Sequence, residues 1–463
     1  MSVLAEMLAD PQQIETALQA LRATEDKAIL PILLALCRSE AADRRRFAVV
    51  ALAEMFEVQA AAALVERMTA DPDRGIRIEA AARLMFLDAL EADRLLEATR
   101  APDEEIRCMA ADAMVRKGRG MEVVELLEQL AMSRDPRTSS SARLNLVSLG
   151  RRQHLDELRR IVRDPGSSER LLVQILAQIQ EEKIAPAADL ARELAGSDRS
   201  SELRVRAYLA LCTTADDGPA TLRKAIEGSP RMVFNVNLLS VLAGQPGAKP
   251  QLQMLANGEG VTATLARFEL ARTDGGPAAA AAAERVAAMG HPVVIGYLLD
   301  RAEEDVKNRG DEAAFHVQAL LRVIRAADPE AAVMGAEHYR AARATTILVN
   351  MAAPEGVGAL KEILAGRYGA VVRAVAAGLM RARNPIAREL ARPLLKSPYD
   401  ELVSDAALVL GSFGDADAAM VLERFIVDRG RASTPLVALS SWYLLKIAGR
   451  TEISAEQLAS CVR

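Results

Sequence analysis

A chain of 463 residues in which 51% are apolar but only 3% aromatic, with 87 alanines and one tryptophan, calls for closely packed helices, because sheets draw on β-branched and aromatic side chains. With 26% charged residues and a mean hydropathy of +0.07 the composition is neither disordered nor membrane-spanning, and 27 glycines and 19 prolines interrupt it too often for a coiled coil. A net charge of −5 offers no global attraction to nucleic acid or to anionic lipid.

The first ten residues lack a basic stretch and already contain Glu6 and Asp10, so no secretory leader is expected there. The four cysteines, Cys37, Cys108, Cys212 and Cys461, are far apart and read as reduced thiols, so a cytoplasmic location is expected. From residue 45 onward one pattern recurs: a position, two residues, Ala, three residues, Leu. Its copies are Arg45/Ala48/Leu52, Arg77/Ala80/Leu84, Arg107/Ala110/Met114, Ser139/Ala142/Leu146, Glu169/Leu172/Leu176 and Arg204/Ala207/Leu211. Weaker copies centre on Asn235, Thr264 and Val294, and good ones return at Ala374, Ala406 and Ala438. The spacing is near 28 to 35 residues, so about 14 units fill the chain.

Each unit reads as two helices. The first carries apolar residues at i, i+3, i+4 and i+7, as over 122–130. A turn with Asp, Ser or Pro, such as Asp71-Pro72, Asp135-Pro136, Asp164-Pro165 or Ser197-Asp198, ends it and is expected to cap the next. The second helix places Ala where a neighbouring helix must come close. Such a pair cannot bury its own apolar stripe and must stack on others. The apolar stretch 277–299 reads as two helices, since Glu284, Arg285 and His291 interrupt it, whereas 303–327 reads as one longer helix that breaks the rhythm.

The turn-and-helix pattern Asp-Pro-x-x-x-Ile/Val-Arg-x-x-Ala-x-x-x-Leu, best matched from Asp71 to Leu84 and closely from Pro102 to Met114, resembles HEAT repeats. The similarity is greatest to the short subtype known from phycobiliprotein lyases. It covers most of 30–213 and 355–450. The fold class is therefore all-α, an α-solenoid: N-terminal repeats over 1–213, degenerate Gly/Pro-rich repeats over 214–345, and C-terminal repeats with a cap over 346–463, in one continuous superhelix. The resemblance implies a protein-interaction scaffold that uses its curved surface, with second helices on the concave side. The alternative it implies is an enzyme or enzyme-associated factor of the chromophore-lyase kind, working in the concave groove.

No phosphate loop, dinucleotide fingerprint, nucleophile elbow, HExxH or CxxC is present. His154 and Glu157 (i, i+3) and Glu312 and His316 (i, i+4) can each share a helix face, but a metal site needs three or more converging ligands. No catalytic residue, metal set or cofactor is assigned. Charge is uneven along the chain. Between Arg340 and Lys396 there are ten Lys/Arg against Glu355, Glu362 and Glu389, an excess of 10 − 3 = +7. Within it, Arg373, Arg381 and Arg383 fall on a second helix and its end and are the expected contacts for a protein partner with an acidic segment, whereas a solvated helix face is the plain alternative. Arg388, Arg392 and Lys396 make a separate stripe on the following first helix. A membrane or nucleic acid partner is not expected. Trp442 and Tyr443 are read as closing the end of the core.

These face assignments are testable. Ala80→Phe or Ala110→Phe should overpack a helix–helix contact and cost about 1–3 kcal/mol, while Arg100→Ala should be silent in denaturant unfolding. Equal tolerance of all three would place the wrong face inside.

Overall fold

The computed structural model describes residues 29–54, 58–86, 90–246, 248–331, 333–382, 384–427 and 433–449, with isolated positions between 13 and 20. Among them all regular secondary structure is helical. The chain divides into two compact units, with the principal break after residue 229.

The first unit is six helix pairs and a further first helix. The pairs are α1 (Leu30–Leu36) with α2 (Ala42–Glu54), α3 (Val58–Ala70) with α4 (Arg74–Phe86), and α5 (Ala92–Ala98) with α6 (Glu104–Arg116). Next come α7 (Val124–Leu130) with α8 (Pro136–Ser148), α9 (Leu155–Arg163) with α10 (Glu169–Glu181), and α11 (Ala188–Ala195) with α12 (Ser201–Thr214). The helix α13 (Gly218–Gly228) follows. The second unit opens with α14 (Met232–Ala243) and adds six pairs. These are α15 (Ala248–Ala256) with α16 (Gly260–Asp274), α17 (Gly276–Ala288) with α18 (Pro292–Arg309), and α19 (Val317–Arg325) with α20 (Ala336–Met351). The last three are α21 (Pro354–Ala365) with α22 (Ala370–Leu379), α23 (Ile386–Ala391) with α24 (Asp400–Ser412), and α25 (Ala419–Val427) with α26 (Thr434–Ile447). Within each unit, second helices stack on second helices, which is the α-solenoid of HEAT type.

The repeated alanine is what permits the stacking. Ala48, Ala80, Ala110, Ala142, Ala207, Ala374, Ala406 and Ala438 are all buried; a buried Leu or Met four residues on fills the space beside six of them, while Gly378 follows Ala374 and Trp442 follows Ala438. Thr264 is the exception among the expected centres: it is only half-buried, and its neighbours Ala263, Leu265 and Ala266 face the core instead. The 303–327 segment is not one helix. Gly310, at φ +57, ends α18, and a 3-10 segment, Gly310–His316, leads into α19. Trp442 is fully enclosed and Tyr443 nearly so, the ring of the latter packing on Gly411 of α24, so they close the core. Burial pushes the thiols of Cys37, Cys108 and Cys212 up to about 12, which leaves them protonated; Cys461 lies outside the described residues.

The turns hold a second regularity. Arg45 donates from Nη1 to the carbonyls of Ser39 and Glu40 in its own turn, and from Nε and Nη2 to the Asp71 carboxylate in the next turn, at 2.9 and 3.0 Å. Arg77 does the same one repeat later, holding the carbonyls of Asp71 and Pro72 and the Asp103 carboxylate. Arg107 grips its own turn at Ala101 and Pro102. Asp71 is thus an inter-repeat bridge rather than the cap of α4; Asp73 caps that helix through the Ile76 amide. Asp135 does cap, on Thr138; at Ser197-Asp198 the cap of α12 is instead Ser200, on Leu203, and Asp164 only closes its own turn on Gly166.

Asp71 is 2% exposed, and Arg45 and Arg67 both point at it. Asp71→Ala should therefore destabilise by about 3 kcal/mol or more, because it strands Arg45 in the core. Arg45→Ala should cost less, since Arg67 still serves Asp71. Denaturant unfolding of the two variants checks the order; the reverse order would refute the bridge.

Candidate functional site

In α16, Glu269 stands four residues after the buried Leu265, the spacing that carries Ala and Leu elsewhere, and is 3% exposed. A carboxylate there must be met by donors. Oε1 accepts from the Tyr297 hydroxyl and from Arg301 Nε at 2.9 Å, and Oε2 from Arg272 Nε at 3.0 Å. One turn beyond Arg301 on α18, buried Asp305 takes Arg272 Nη1 at 2.9 Å and His316 Nε2 at 2.8 Å. Arg301 reaches on to the Ser240 carbonyl and hydroxyl in α14, and Arg309 to the Arg272 carbonyl. The network ties α14, α16, α18 and the 3-10 segment together. Desolvation holds the fully buried His316 below its ordinary pKa, so the imidazole is neutral, with Nε2–H donating to Asp305 and Nδ1 unpartnered between Phe268 and Phe315.

A groove of about 870 Å³ opens beside this network, over the C-terminal halves of α18 and α20. Asp300, Glu303 and Lys307 line it from α18, Arg343 and Asn350 from α20, and Arg381 from just beyond α22. Arg343 lies 2.8 Å from Asp300 and is bound to Glu303 through Nε and Nη2. Glu304 accepts from Arg301 and Arg272. The end of α22 is fixed by a close backbone approach: a Cβ on Gly378 would meet the Ala342 carbonyl oxygen at 2.5 Å, and Thr346 Oγ1 donates to the Gly378 carbonyl at 2.9 Å.

Of the arginines singled out by sequence, Arg381 lines this groove. Arg373 sits in the first turn of α22, about 12 Å away along the axis and near Tyr368, so the structure does not bring the two together. Arg383 lies outside the described residues. The stripe Arg388, Arg392, Lys396 is not on one helix: α23 ends at Ala391 and a 3-10 segment, Arg392–Lys396, follows it. Arg388 and Arg392 both bind Asp415 of the next repeat as a structural bridge, and Lys396 is exposed. His154 lies 3.3 Å from Glu128 of the preceding repeat, while Glu157 pairs with Arg160. His338 is buried, donating to the Asp328 carbonyl and accepting from the Gly335 amide. Sequence reading missed Glu269, Arg301, Asp305 and Lys307; the available signal was charge at core spacing in α16 and the i, i+3, i+7 stripe on α18.

A second titratable cluster spans three second helices of the first unit. Asp112 of α6 accepts from Asn145 of α8 and from Gln178 of α10, each at 3.0 Å, and pairs with Arg116 at 2.6 Å. Burial, and then the Asp112 carboxylate beside it, push Glu182 up to about 9, so at neutral pH Glu182 is protonated.

No protein-family model and no curated protein matches the chain. Among solved structures it is similar to UNC-45 from Drosophila melanogaster at 14% identity, over 98% of this chain and 73% of that one, with a TM-score of 0.30. It is also similar to a Kap95:Nup1 complex (14%, 97% and 64%, TM-score 0.38) and to Kap121p bound to Nup53p (13%, 98% and 53%, TM-score 0.35). The chain thus spans from about half to three-quarters of the length of these proteins.

The sign for Glu182 is fixed by its raised pKa. Below the ordinary value of 4.5 both folded and unfolded states are protonated; between 4.5 and about 9 the unfolded state gives up the proton first, so folding loses stability as pH rises. Glu182→Gln should flatten that slope and raise stability at pH 8. A variant whose unfolding free energy follows pH as the parent does would exclude a buried, protonated Glu182.

Proposed function

We propose that this chain is a non-catalytic, cytoplasmic scaffold or adaptor that holds a protein partner on the exposed surface of its second helices, and that the groove over α18 and α20 is the docking site. The observation that carries this reading is the groove itself. It is open, has charged walls of both signs, and is built on elements pinned by Gly378 and by the Arg301–Glu269 network. Rigid walls keep the entropic cost of binding low, and mixed charge gives orientation and register. Arg381 is the proposed cationic contact in the groove, and Arg373 a proposed contact outside it. The resemblance to short lyase-type HEAT repeats keeps a chromophore-lyase-like role as the alternative.

A photo-crosslinking residue at Asn350 should capture a protein partner from the native host far more than one at Met132, an exposed position on a first-helix end in the other unit. Arg381→Ala should weaken the captured complex and reduce its salt dependence, and Arg373→Ala should do so less. Equal capture at both positions would sink the docking site. Binding of an open-chain tetrapyrrole with a changed absorption spectrum, and no protein capture, would favour the lyase-like alternative.

A further inference from the structure

The groove has an acidic end and a basic end. On α18 the stripe Asp300, Glu303, Lys307 covers about 10 Å at the helical rise. At the acidic end Arg343 lies between Asp300 and Glu303, so both carboxylates already have a cation. Glu304 is held by Arg301 and Arg272. At the other end stand Lys307 and Arg381, both exposed, their side chains with no ion-pair or hydrogen-bond partner among the described residues. Their nearness to helix C-termini offsets only about half a charge each.

Resting on the docking reading above, we infer that the Lys307–Arg381 end receives the carboxylates of an acidic partner segment, a short run of Asp or Glu. Two like charges that line one cavity repel each other until an anion enters, and the arginine fork can hold a carboxylate through two parallel hydrogen bonds. The side chains are correctly based for this. Gly378 locks the α22 terminus against α20 three residues before Arg381, whose amide donates back to the Gly378 carbonyl at 3.3 Å. A basic segment is disfavoured on both counts: it would have to displace Arg343 from its two acids, and it would meet Lys307 and Arg381 as like charges. A nucleic acid strand fits poorly, since its phosphates continue past the basic end and over Asp300, Glu303 and Glu304.

The test uses the full chain and a fluorescein-labelled oligoglutamate, with oligolysine, a Gly-Ser peptide and oligothymidylate as comparison probes, read by anisotropy at low and high salt. Oligoglutamate should bind in preference to the other three, more weakly at high salt. Lys307→Glu/Arg381→Glu should weaken it by about tenfold or more, and Lys361→Glu/Lys396→Glu, an equal charge change at exposed lysines outside the groove, by no more than about twofold. Lys307→Arg/Arg381→Lys keeps the charge and should retain binding, which separates loss of charge from loss of fold. Equal losses in the two reversed variants, preference for oligothymidylate, or no oligoglutamate binding would each overturn the inference. A partner crosslinked at Asn350 whose capture is untouched by the groove reversal would overturn the acidic segment alone and leave the docking site standing. Absence of any groove-selective crosslink would instead overturn the docking site.

Discussion

Between α20 and α22 the backbones come so close that a methyl group on Gly378 would lie 2.5 Å from the Ala342 carbonyl oxygen and 2.6 Å from Thr345 Cβ. A related demand appears one turn earlier on the same face: Ala374, and its counterparts Ala80, Ala110, Ala142 and Ala207 in other second helices, are fully buried. A pair of helices in this chain has no core of its own, so its apolar stripe is covered only if its neighbour can approach to backbone contact. Small residues set that distance, and Leu, Ile and Met then fill the gaps that remain. The abundance of alanine and the scarcity of rings are consequences of this spacing.

The requirement is periodic, and that is why so much of the fold was legible. A residue type needed once per repeat leaves a repeated mark, and eight of the alanines read as inter-helix contacts are buried. Legibility failed where the mark is shared with another role. Asp71 and Asp135 look alike before a helix, yet Asp71 takes Nε and Nη2 of Arg45 from the preceding repeat while Asp135 caps α8 and Arg107 holds only the carbonyls of its own turn, a difference that local spacing does not mark. It failed again at Gly310, a single residue whose left-handed backbone breaks what otherwise reads as continuous helix. Around Thr264 the register slipped because a run of small residues satisfies the pattern at more than one phase.

The candidate site was legible only in part, for a different reason. Ion pairs such as Arg272–Asp305, Arg343–Glu303 and Arg388–Asp415 join residues 27 to 40 positions apart, and nothing in local spacing selects one acid among several. The +7 excess over 340–396 was real as arithmetic but not as a surface: acids from neighbouring repeats neutralise Arg343, Arg388 and Arg392. A buried pair such as Arg272–Asp305 adds little net stability over apolar packing, yet it penalises any other arrangement severely, because a single displaced partner leaves a charge in the core. Glu269, with donors from Tyr297, Arg301 and Arg272, fixes the relative positions of α16 and α18 in that way.

Helix length explains why a groove opens here. Along the row of second helices, α18 has 18 residues, α20 has 16 and α22 has 10. Alignment is imposed at the Gly378 contact, so the longer helices run on where α22 has already stopped, and the lining residues come from that overhang: Lys307 and Asn308 at the end of α18, Ile347 and Asn350 at the end of α20. An overhang normally exposes apolar surface that the next repeat would have covered. In this place the sequence has put charge instead, and Arg343 is spent holding Asp300 and Glu303 against the wall. Because each repeat in a solenoid touches only its neighbours, such a local mismatch can be built without disturbing the stacking on either side. A recess in this fold therefore needs no special domain, only a difference in length between consecutive helices and polar residues to keep the step from closing.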